Sequence, residues 1–334
     1  MRQRWLPAPP RIEPLRSTRL GLVVNDADPY SVEVGAYYAR RRGLAPAQVL
    51  HVELRPGPVL AVDEFERLRD AIAGHFGADI QALALAWKAP YAVGCESITG
   101  ALALGYDPLL CRSSCAPSAP SPYFDSPSRR PFADFGFRLS MLVAAPDVEA
   151  ARALIDRGVA ADGALAAASG PAATALFVRS PPGPRAVRER DYPPPGLLAD
   201  AGVEVQVEPL GALEQAPRLI YATLGVARLQ WRRRPDWLAG ALADHLTSFG
   251  GRLDDPHGQS SVLEWIASGA TASYGTVSEP CNHRQKFPHP QRLLQWYLAG
   301  ASAIEAYWRS VAWPQQGLFV GEPLAAPFAP APAR

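Results

Sequence analysis

The chain has no large excess of charge of either sign. Its 334 residues include 33 basic and 32 acidic side chains, which gives a formal net charge of +1 at pH 7. A surface that binds nucleic acid needs an excess of Lys and Arg, because contacts with phosphate dominate its affinity. The one basic cluster, at 232–234, is typical of a solvated turn. The sequence therefore predicts no nucleic-acid partner.

Long apolar runs are also missing. No stretch reaches the ~20 apolar residues that a membrane helix requires. Residues 1–19 contain Arg and Pro without the apolar core of a signal peptide. The sequence thus predicts no membrane span and, as written, a cytoplasmic protein. An extracytoplasmic location stays open if the true start lies upstream, so the localisation is left unassigned.

Glycine-rich phosphate-binding loops do not occur. The pattern Gly-x-x-x-x-Gly-Lys-Ser/Thr is absent, and the turn at 25–29 lacks the glycines that would let backbone approach a pyrophosphate. No internal repeat or heptad pattern is found. We therefore predict no cofactor.

What the chain does contain is an alternation of strand and helix patterns. Hydrophobic residues make up 48% of the sequence, enough for a core without help from metals. Apolar runs alternate with amphipathic segments, which predicts a doubly wound α/β fold with a mainly parallel sheet. We predict strands at 20–25, 49–54, 80–87, 138–145, 174–179, 203–207 and 219–223, and helices that begin near 29, cover 63–76 and 148–161, and end at 196–201.

One segment interrupts this alternation. Residues 90–137 are rich in Pro, Ser and Cys, and a non-periodic stretch of that length inside a domain is usually functional. Because it directly follows a strand, we expect it to cover the carboxyl edge of the sheet. The predicted organisation is an irregular Pro/Arg-rich N-terminus (1–19), one α/β domain (20–328), with two sub-sheets as an alternative, and a Pro/Ala-rich tail (329–334).

Polar side chains follow several of the predicted strands. The carboxyl ends of parallel strands meet at one edge, where open α/β sheets bind ligands. The sequence therefore predicts a binding pocket for an unknown small molecule at this edge. Its candidate residues are Asn25, Asp26, Lys88, Thr223, Thr247, Ser248 and Glu279.

The four cysteines allow three interpretations. They stand at positions 95, 111, 115 and 281. Disulfides suit an exported protein, and free thiols suit a cytosolic one. A zinc site of Cys111, Cys115, Cys281 and His283 is the least favoured, because its spacings are looser than the common zinc patterns.

A cysteine nucleophile is a further hypothesis. Cys281, activated by His245 or His283 and oriented by Glu279, would form a Cys-His-Glu set. The alternative is that Cys281 is paired or half-buried and that His245, in an apolar strand, is structural. We favour the alternative, because residue types without distances are weak evidence for catalysis.

Several strings point to a known family. They include Glu96-Ser-Ile-Thr99, Ser121-Pro-Tyr-Phe-Asp-Ser126, Arg138-Leu-Ser-Met141, His245-Leu-Thr-Ser-Phe-Gly-Gly251 and Gly275-Thr-Val-Ser-Glu-Pro-Cys-Asn-His283. Together they resemble an uncharacterised bacterial family found in genomes that carry exosortase, an envelope protein-sorting system. The resemblance covers about 20–328. It implies an envelope or sorting context and no particular reaction.

A second resemblance concerns the last third of the chain. A strand, Ser-Phe-Gly at 248–250, a helix and Gly-Ala-Thr-Ala-Ser-Tyr-Gly-Thr-Val at 269–277 are similar to the end of a gingipain- or caspase-like cysteine peptidase domain. In such domains the catalytic Cys ends the strand before that helix, and a His-Gly pair ends the previous core strand. The matching positions here hold Ser248 and Leu224-Gly225. The resemblance thus implies a caspase-like fold without the peptidase dyad.

Two functional hypotheses follow. The first is a non-peptidase binding or accessory protein on a caspase-like scaffold, in an exosortase-associated envelope or secretion pathway. Its partner would be a small molecule or a protein of the sorting pathway. The second is a hydrolase or transferase with a relocated site at Cys281, with His245 or His283 as the base.

Overall fold

The buried apolar runs of the sequence become the strands of a central sheet. In the computed structural model, residues 4–167 and 170–330 are described. The strands are β1 (Leu20–Asn25), β2 (Val49–Val52), β3 (Val59–Leu60), β4 (Ala82–Leu85), β5 (Ala92–Val93), β6 (Glu96–Ser97), β7 (Leu139–Leu142), β8 (Ala173–Arg179), β9 (Gly196–Leu198), β10 (Val203–Pro209), β11 (Leu219–Leu224), β12 (Trp237–His245), β13 (Ala272–Thr276) and β14 (Gly317–Gly321).

Amphipathic segments between the strands form the helices. They are α1 (Pro29–Arg42), α2 (Val62–His75), α3 (Ile98–Leu104), α4 (Pro108–Arg112), α5 (Pro131–Phe135), α6 (Val148–Ala161), α7 (Val262–Ser268), α8 (Pro290–Leu298) and α9 (Ala303–Ser310). Asp28 caps α1 by accepting the Tyr30 N–H at 3.0 Å, and Asp147 caps α6 by accepting the Ala150 N–H at 2.8 Å. Short polar side chains ahead of each apolar pattern therefore fix where these helices begin.

Eleven strands form one sheet in the order β2-β1-β4-β7-β14-β13-β12-β11-β8-β10-β9. Strand β14 is antiparallel to β13 and β10 to β9, β14 meets β7 at the single residue pair Val320 and Leu142, and the other neighbouring pairs are parallel. Strands β3, β5 and β6 form a separate small sheet. The predicted α/β class with a mainly parallel sheet is confirmed.

Helices cover both faces of the sheet. Gly21 and Val24 lie three residues apart on β1, so they face opposite sides. A Cβ on Gly21 would lie 2.8 Å from the ring of Phe76, just after α2, whereas a Cβ on Gly35 of α1 would lie 2.6 Å from Val24. The two glycines thus allow close packing of one chain segment on each face, as a doubly wound sheet requires.

The prediction that a helix ends at 196–201 is wrong. Residues 196–198 form the edge strand β9, in which Gly196 pairs with Val205 and Leu198 with Val203. The segment is short and directly preceded by prolines, so it does not form the end of a helix. Pairing with β10 satisfies the hydrogen-bonding groups of its backbone instead.

The insertion at 90–137 covers the carboxyl edge only with its first half. There, Ser97 Oγ donates to the Gly317 carbonyl at 2.6 Å, and the Cys95 carbonyl accepts from Ser278 Oγ at 2.6 Å. The second half runs along α9 to the opposite edge, where the Phe132 N–H donates to Gln81 Oε1 at 3.1 Å. The insertion must end at that opposite edge, because the next strand, β7, starts there. Strand β7 is parallel to β4 and begins beside its amino end.

From residue 4 to β1 the N-terminal segment has no strand or α-helix, yet it is packed against the domain. The Leu6 N–H donates to Gln291 Oε1 at 2.9 Å, and the Ile12 N–H donates to the Ala299 carbonyl at 2.9 Å. Residues 1–3 and most of the predicted tail, 331–334, lie outside the described residues. Among those described, the helices are all too short or too polar to span a bilayer.

Candidate functional site

The loops that follow four neighbouring strands meet at the carboxyl edge of the sheet. We call this the central edge and define it as the loops 180–185, 225–230, 246–251 and 277–283. The Gly225 N–H donates to Ser180 Oγ at 2.7 Å, which joins the first two loops. Thr247 Oγ1 donates to Gln259 Oε1 at 2.6 Å and lies 3.5 Å from Arg185 Nε. Hydrogen bonds between loops therefore hold the edge together.

Ser248 lies three residues past the end of β12, the strand that pairs with β11. Its carbonyl accepts a hydrogen bond from Thr276 Oγ1 at 2.9 Å. Within residues 4–167 and 170–330, no histidine hydrogen-bonds to Ser248 Oγ. On the neighbouring strand, Leu224 and Gly225 offer no basic side chain. A serine hydroxyl without a base is a poor nucleophile.

His245 is a structural residue of the core. Its Nδ1 accepts the indole N–H of Trp265 at 2.9 Å, and its Nε2 lies 3.1 Å from the Ser260 carbonyl. Because an indole only donates, Nδ1 carries no proton, and Nε2–H donates to the carbonyl. Burial lowers the pKa of His245 to about 4, so the ring is neutral. Both nitrogens are occupied, as expected for a histidine in an apolar strand.

This neutral, buried His245 should make stability depend on pH. Its folded pKa of about 4 lies below the unfolded value near 6.5, so its contribution is complete above pH 6.5 and lost as the pH falls towards 4. We expect the wild type to lose about 3 kcal/mol more than His245→Gln between pH 7 and pH 4, measured by urea denaturation. His51→Gln, which replaces an exposed histidine, is the matched control. If the free energy of unfolding depends on pH in the same way for His245→Gln and the wild type, the assignment of a neutral, buried His245 is wrong.

Thr223 faces the interior rather than a pocket. Its Oγ1 donates to Asp244 Oδ1 at 3.1 Å, and the same carboxylate oxygen lies 2.6 Å from Arg188 Nη2. All three side chains are buried. The sequence analysis did not identify this ion pair, although an aspartate inside the apolar strand at 237–245 was a usable signal.

Two of the predicted pocket residues from the first half of the chain, Asn25 and Asp26, lie far from the central edge. Asn25 and Thr223 end strands that are six positions apart in the sheet, which at ~4.8 Å per strand is about 29 Å. Asn25 is buried, and its Oδ1 accepts the Leu54 N–H at 2.9 Å, which joins the loops after β1 and β2. Asp26 lies 2.7 Å from His51 at the surface. The candidates share an edge but do not converge.

All four cysteines form disulfides. Cys95 pairs with Cys111, and Cys115 pairs with Cys281, each with a Cα–Cα distance of 5.2 Å. This matches the disulfide interpretation. The zinc set is divided between the two bonds, and no group of three or more His, Cys, Asp or Glu in the described residues is arranged to hold a metal.

The Cys-His-Glu set is not assembled in this structure. The Cys281 sulfur is bonded to Cys115, and its backbone N–H donates to Glu279 Oε1 at 2.9 Å. His283 Nε2 lies 2.9 Å from the Cys115 carbonyl rather than beside a sulfur. His245 is occupied elsewhere by Ser260 and Trp265. A thiolate, which nucleophilic attack requires, is therefore not present in the disulfide-bonded state.

Two open cavities lie at the carboxyl edge. The first, of about 330 Å³, borders Gly225, the residue that follows β11. We call it the Arg185 cleft. The second, of about 490 Å³, lies between the ends of β4 and β7 and helix α7, and we call it the Lys88 groove. The cleft is lined by Pro181, Pro182, Gly183, Pro184, Arg185, Gly225, Val226, Ala227, Arg228 and Gln230. The groove is lined by Lys88, Ala89, Tyr91, Pro146, Leu253, Asp254, Leu263, Glu264 and Ala267.

Comparison with known proteins returns similar structures only. No protein-family model matches the chain, and no curated protein matches it. The Arg-specific cysteine proteinase gingipain R is similar with a TM-score of 0.45 and 10% identity, over 95% of this chain and 80% of that one. A structure described as a protease has a TM-score of 0.44 and 10% identity, over 93% and 78%. The complex of Porphyromonas gingivalis RgpB pro- and mature domains has 0.43 and 10%, over 92% and 79%. Similarity at this level assigns no activity and no site residue.

Proposed function

We propose that the protein is a non-peptidase binding or accessory protein on a caspase-like scaffold, acting in an exosortase-associated envelope or secretion pathway. The observation that carries the proposal is the surroundings of Ser248. Its hydroxyl has no histidine partner in the part of the chain that is described, and the end of β11, the strand paired with β12, offers Leu224 and Gly225. The position that resembles a nucleophile site is therefore without a general base.

The loop above this position further supports binding rather than hydrolysis. A Cβ on Gly225 would lie 2.0 Å from the Arg185 carbonyl, so the 180–185 loop lies directly on the residue that follows β11. The same loop is fixed by the Gly225 N–H, which donates to Ser180 Oγ. A side chain at position 225 would therefore have no room, so this residue could not carry a base.

The disulfides support the envelope context. Two disulfides and no free cysteine in residues 4–167 and 170–330 are the arrangement that oxidising compartments favour. The first links two parts of the insertion, and the second links the insertion to the loop after β13. Both bonds therefore stabilise a segment that has little regular structure of its own.

The proposal is tested at Ser248. Ser248→Ala should change the free energy of unfolding by about 1 kcal/mol or less, because its hydroxyl makes no buried hydrogen bond in the structure. A serine-directed fluorophosphonate probe should label wild type and variant equally and slowly. Ser260→Ala is the matched control for stability, since Ser260 Oγ accepts the Leu229 N–H at 2.8 Å and donates to Glu264 at 2.8 Å. It should cost more than Ser248→Ala.

Rapid labelling that disappears in Ser248→Ala would overturn the proposal. A thiol-reactive probe extends the same test to Cys281. Fast labelling of Cys281 after mild reduction, lost in His283→Ala, would instead support the cysteine hydrolase or transferase hypothesis.

A further inference from the structure

We infer that the Lys88 groove is a binding site for a small molecule with a single carboxylate head and an apolar chain. This inference rests on the proposed binding function and gives it a ligand class. It places the ligand away from Ser248, at the ends of β4 and β7. The two ideas can therefore fail separately.

The size and walls of the groove fit an elongated apolar ligand. Its volume of about 490 Å³ is in the range of small-molecule sites. Leu253 and Leu263, both partly exposed, supply apolar surface beside Tyr91, and Ala89 and Ala267 leave space because their side chains are small. Tyr91 is almost fully buried, so this wall is fixed before a ligand arrives. Binding to a preformed wall avoids the cost of ordering it.

The position of the Lys88 amine is also fixed. Its Nζ donates to the Pro146 carbonyl at 2.9 Å and lies 5.0 Å from the centre of the Tyr30 ring. The Tyr30 hydroxyl is itself held, because it accepts the Ala145 N–H at 2.9 Å. A lysine ammonium has three donors, so two remain for a ligand.

Lys88 is the one basic residue among those that line the groove. It forms no ion pair with any acidic residue of 4–167 or 170–330. The nearby carboxylates of Asp28 and Asp147 are engaged in helix caps. A carboxylate on the ligand would therefore supply the ion-pair partner that Lys88 lacks within the protein.

The acidic residues of the groove are already satisfied. Asp254 accepts hydrogen bonds from the Tyr91 hydroxyl and from the Asp255 N–H, and Glu264 accepts from Ser260 Oγ. They are carried by α7 and the loop after β12, whereas Lys88 follows β4. A second anionic group on the ligand would be repelled there, which favours one carboxylate at Lys88 and an uncharged chain elsewhere.

Decanoate and 1-decanol, which share an apolar chain and differ in charge, test this inference. We expect Lys88→Gln to weaken decanoate binding about tenfold and to change 1-decanol binding less than about twofold, measured by calorimetry on the full chain. Arg152→Gln, which removes an equal charge at an exposed ion pair outside the groove, should bind decanoate as the wild type does. Ala267→Trp, at an exposed wall position, should weaken both ligands by filling the groove.

Chemical labelling gives a second measurement. Lysine occurs only at positions 88 and 286, and Lys286 is buried, so acetylation of a side-chain amine reports mainly on Lys88. Decanoate should slow acetylation of Lys88, and 1-decanol should slow it much less. Equal binding of decanoate by Lys88→Gln and wild type, or no protection of Lys88, would overturn the inference.

The outcomes separate this site from the proposed function. If decanoate does not bind and no hydrolase labelling occurs at Ser248, the ligand class is wrong and the non-peptidase proposal stands. If Ser248 reacts rapidly while decanoate still binds at Lys88, the groove is correct and the non-peptidase proposal fails.

Discussion

Replacing Glu322 by alanine is expected to lower the free energy of unfolding by about 3–5 kcal/mol, one of the two largest effects of the substitutions considered. Glu322 is fully buried and follows β14. Its carboxylate accepts the Tyr38 hydroxyl at 2.8 Å and the Arg42 Nε–H at 2.9 Å. Removing it leaves a buried guanidinium with only Asp162 as a charged partner. Urea denaturation at neutral pH measures the loss.

Glu33→Ala is the matched control. Glu33 pairs with Arg152 at 2.5 Å, but about half of each side chain is exposed, with 49% for Glu33 and 45% for Arg152. Solvent screens such a pair, so its loss should cost at most about 1 kcal/mol. Similar costs for the two variants would show that the buried pair adds nothing beyond a surface pair.

Removing the disulfide between Cys115 and Cys281 has the second largest expected effect. The double variant Cys115→Ser/Cys281→Ser should lose about 3–5 kcal/mol, because the bond closes a loop between residues 166 positions apart and so restricts the unfolded chain. Cys95→Ser/Cys111→Ser closes a loop of only 16 positions and should lose about 2–3 kcal/mol. Denaturation without reductant measures both variants.

The reverse order of these two losses would contradict the account based on loop entropy. Alkylation of the wild type before and after reduction provides a control for the pairing. No cysteine should react before reduction, and all four should react after it. Wild-type protein that reacts without reductant would show that the disulfides are not formed under the conditions used.

Much of the fold could be predicted because it depends on local patterns. The strand at 20–25 and the helix at 148–161 are read directly from apolar periodicity and capping residues. Gly300, with a φ of 104°, divides the last helical region into α8 and α9 as a glycine in a helical pattern can. The structural role of His245 was also available, since a polar ring in an apolar strand needs partners inside the core.

Whether the candidate residues lie close together could not be predicted, because this depends on the order of the strands in the sheet. A sequence shows that Asn25 and Thr223 end strands on one edge, but not that several strands lie between them. The role of Glu322 could not be predicted either, for a related reason. Its partners Tyr38 and Arg42 are about 280 positions away in the chain, and only the absence of a side chain at Gly158 leaves room for the carboxylate.

The position of β14 has a consequence for how the protein is made. This strand lies in the middle of the sheet, between β7 and β13, although it is the last strand within residues 4–330. While the ribosome is still adding residues before 317, β7 and β13 each present an open edge that can pair with another chain. The two halves of the sheet are joined only after residues 317–321 have been synthesised. This topology therefore requires that the open edges of β7 and β13 be protected from pairing with other chains during synthesis.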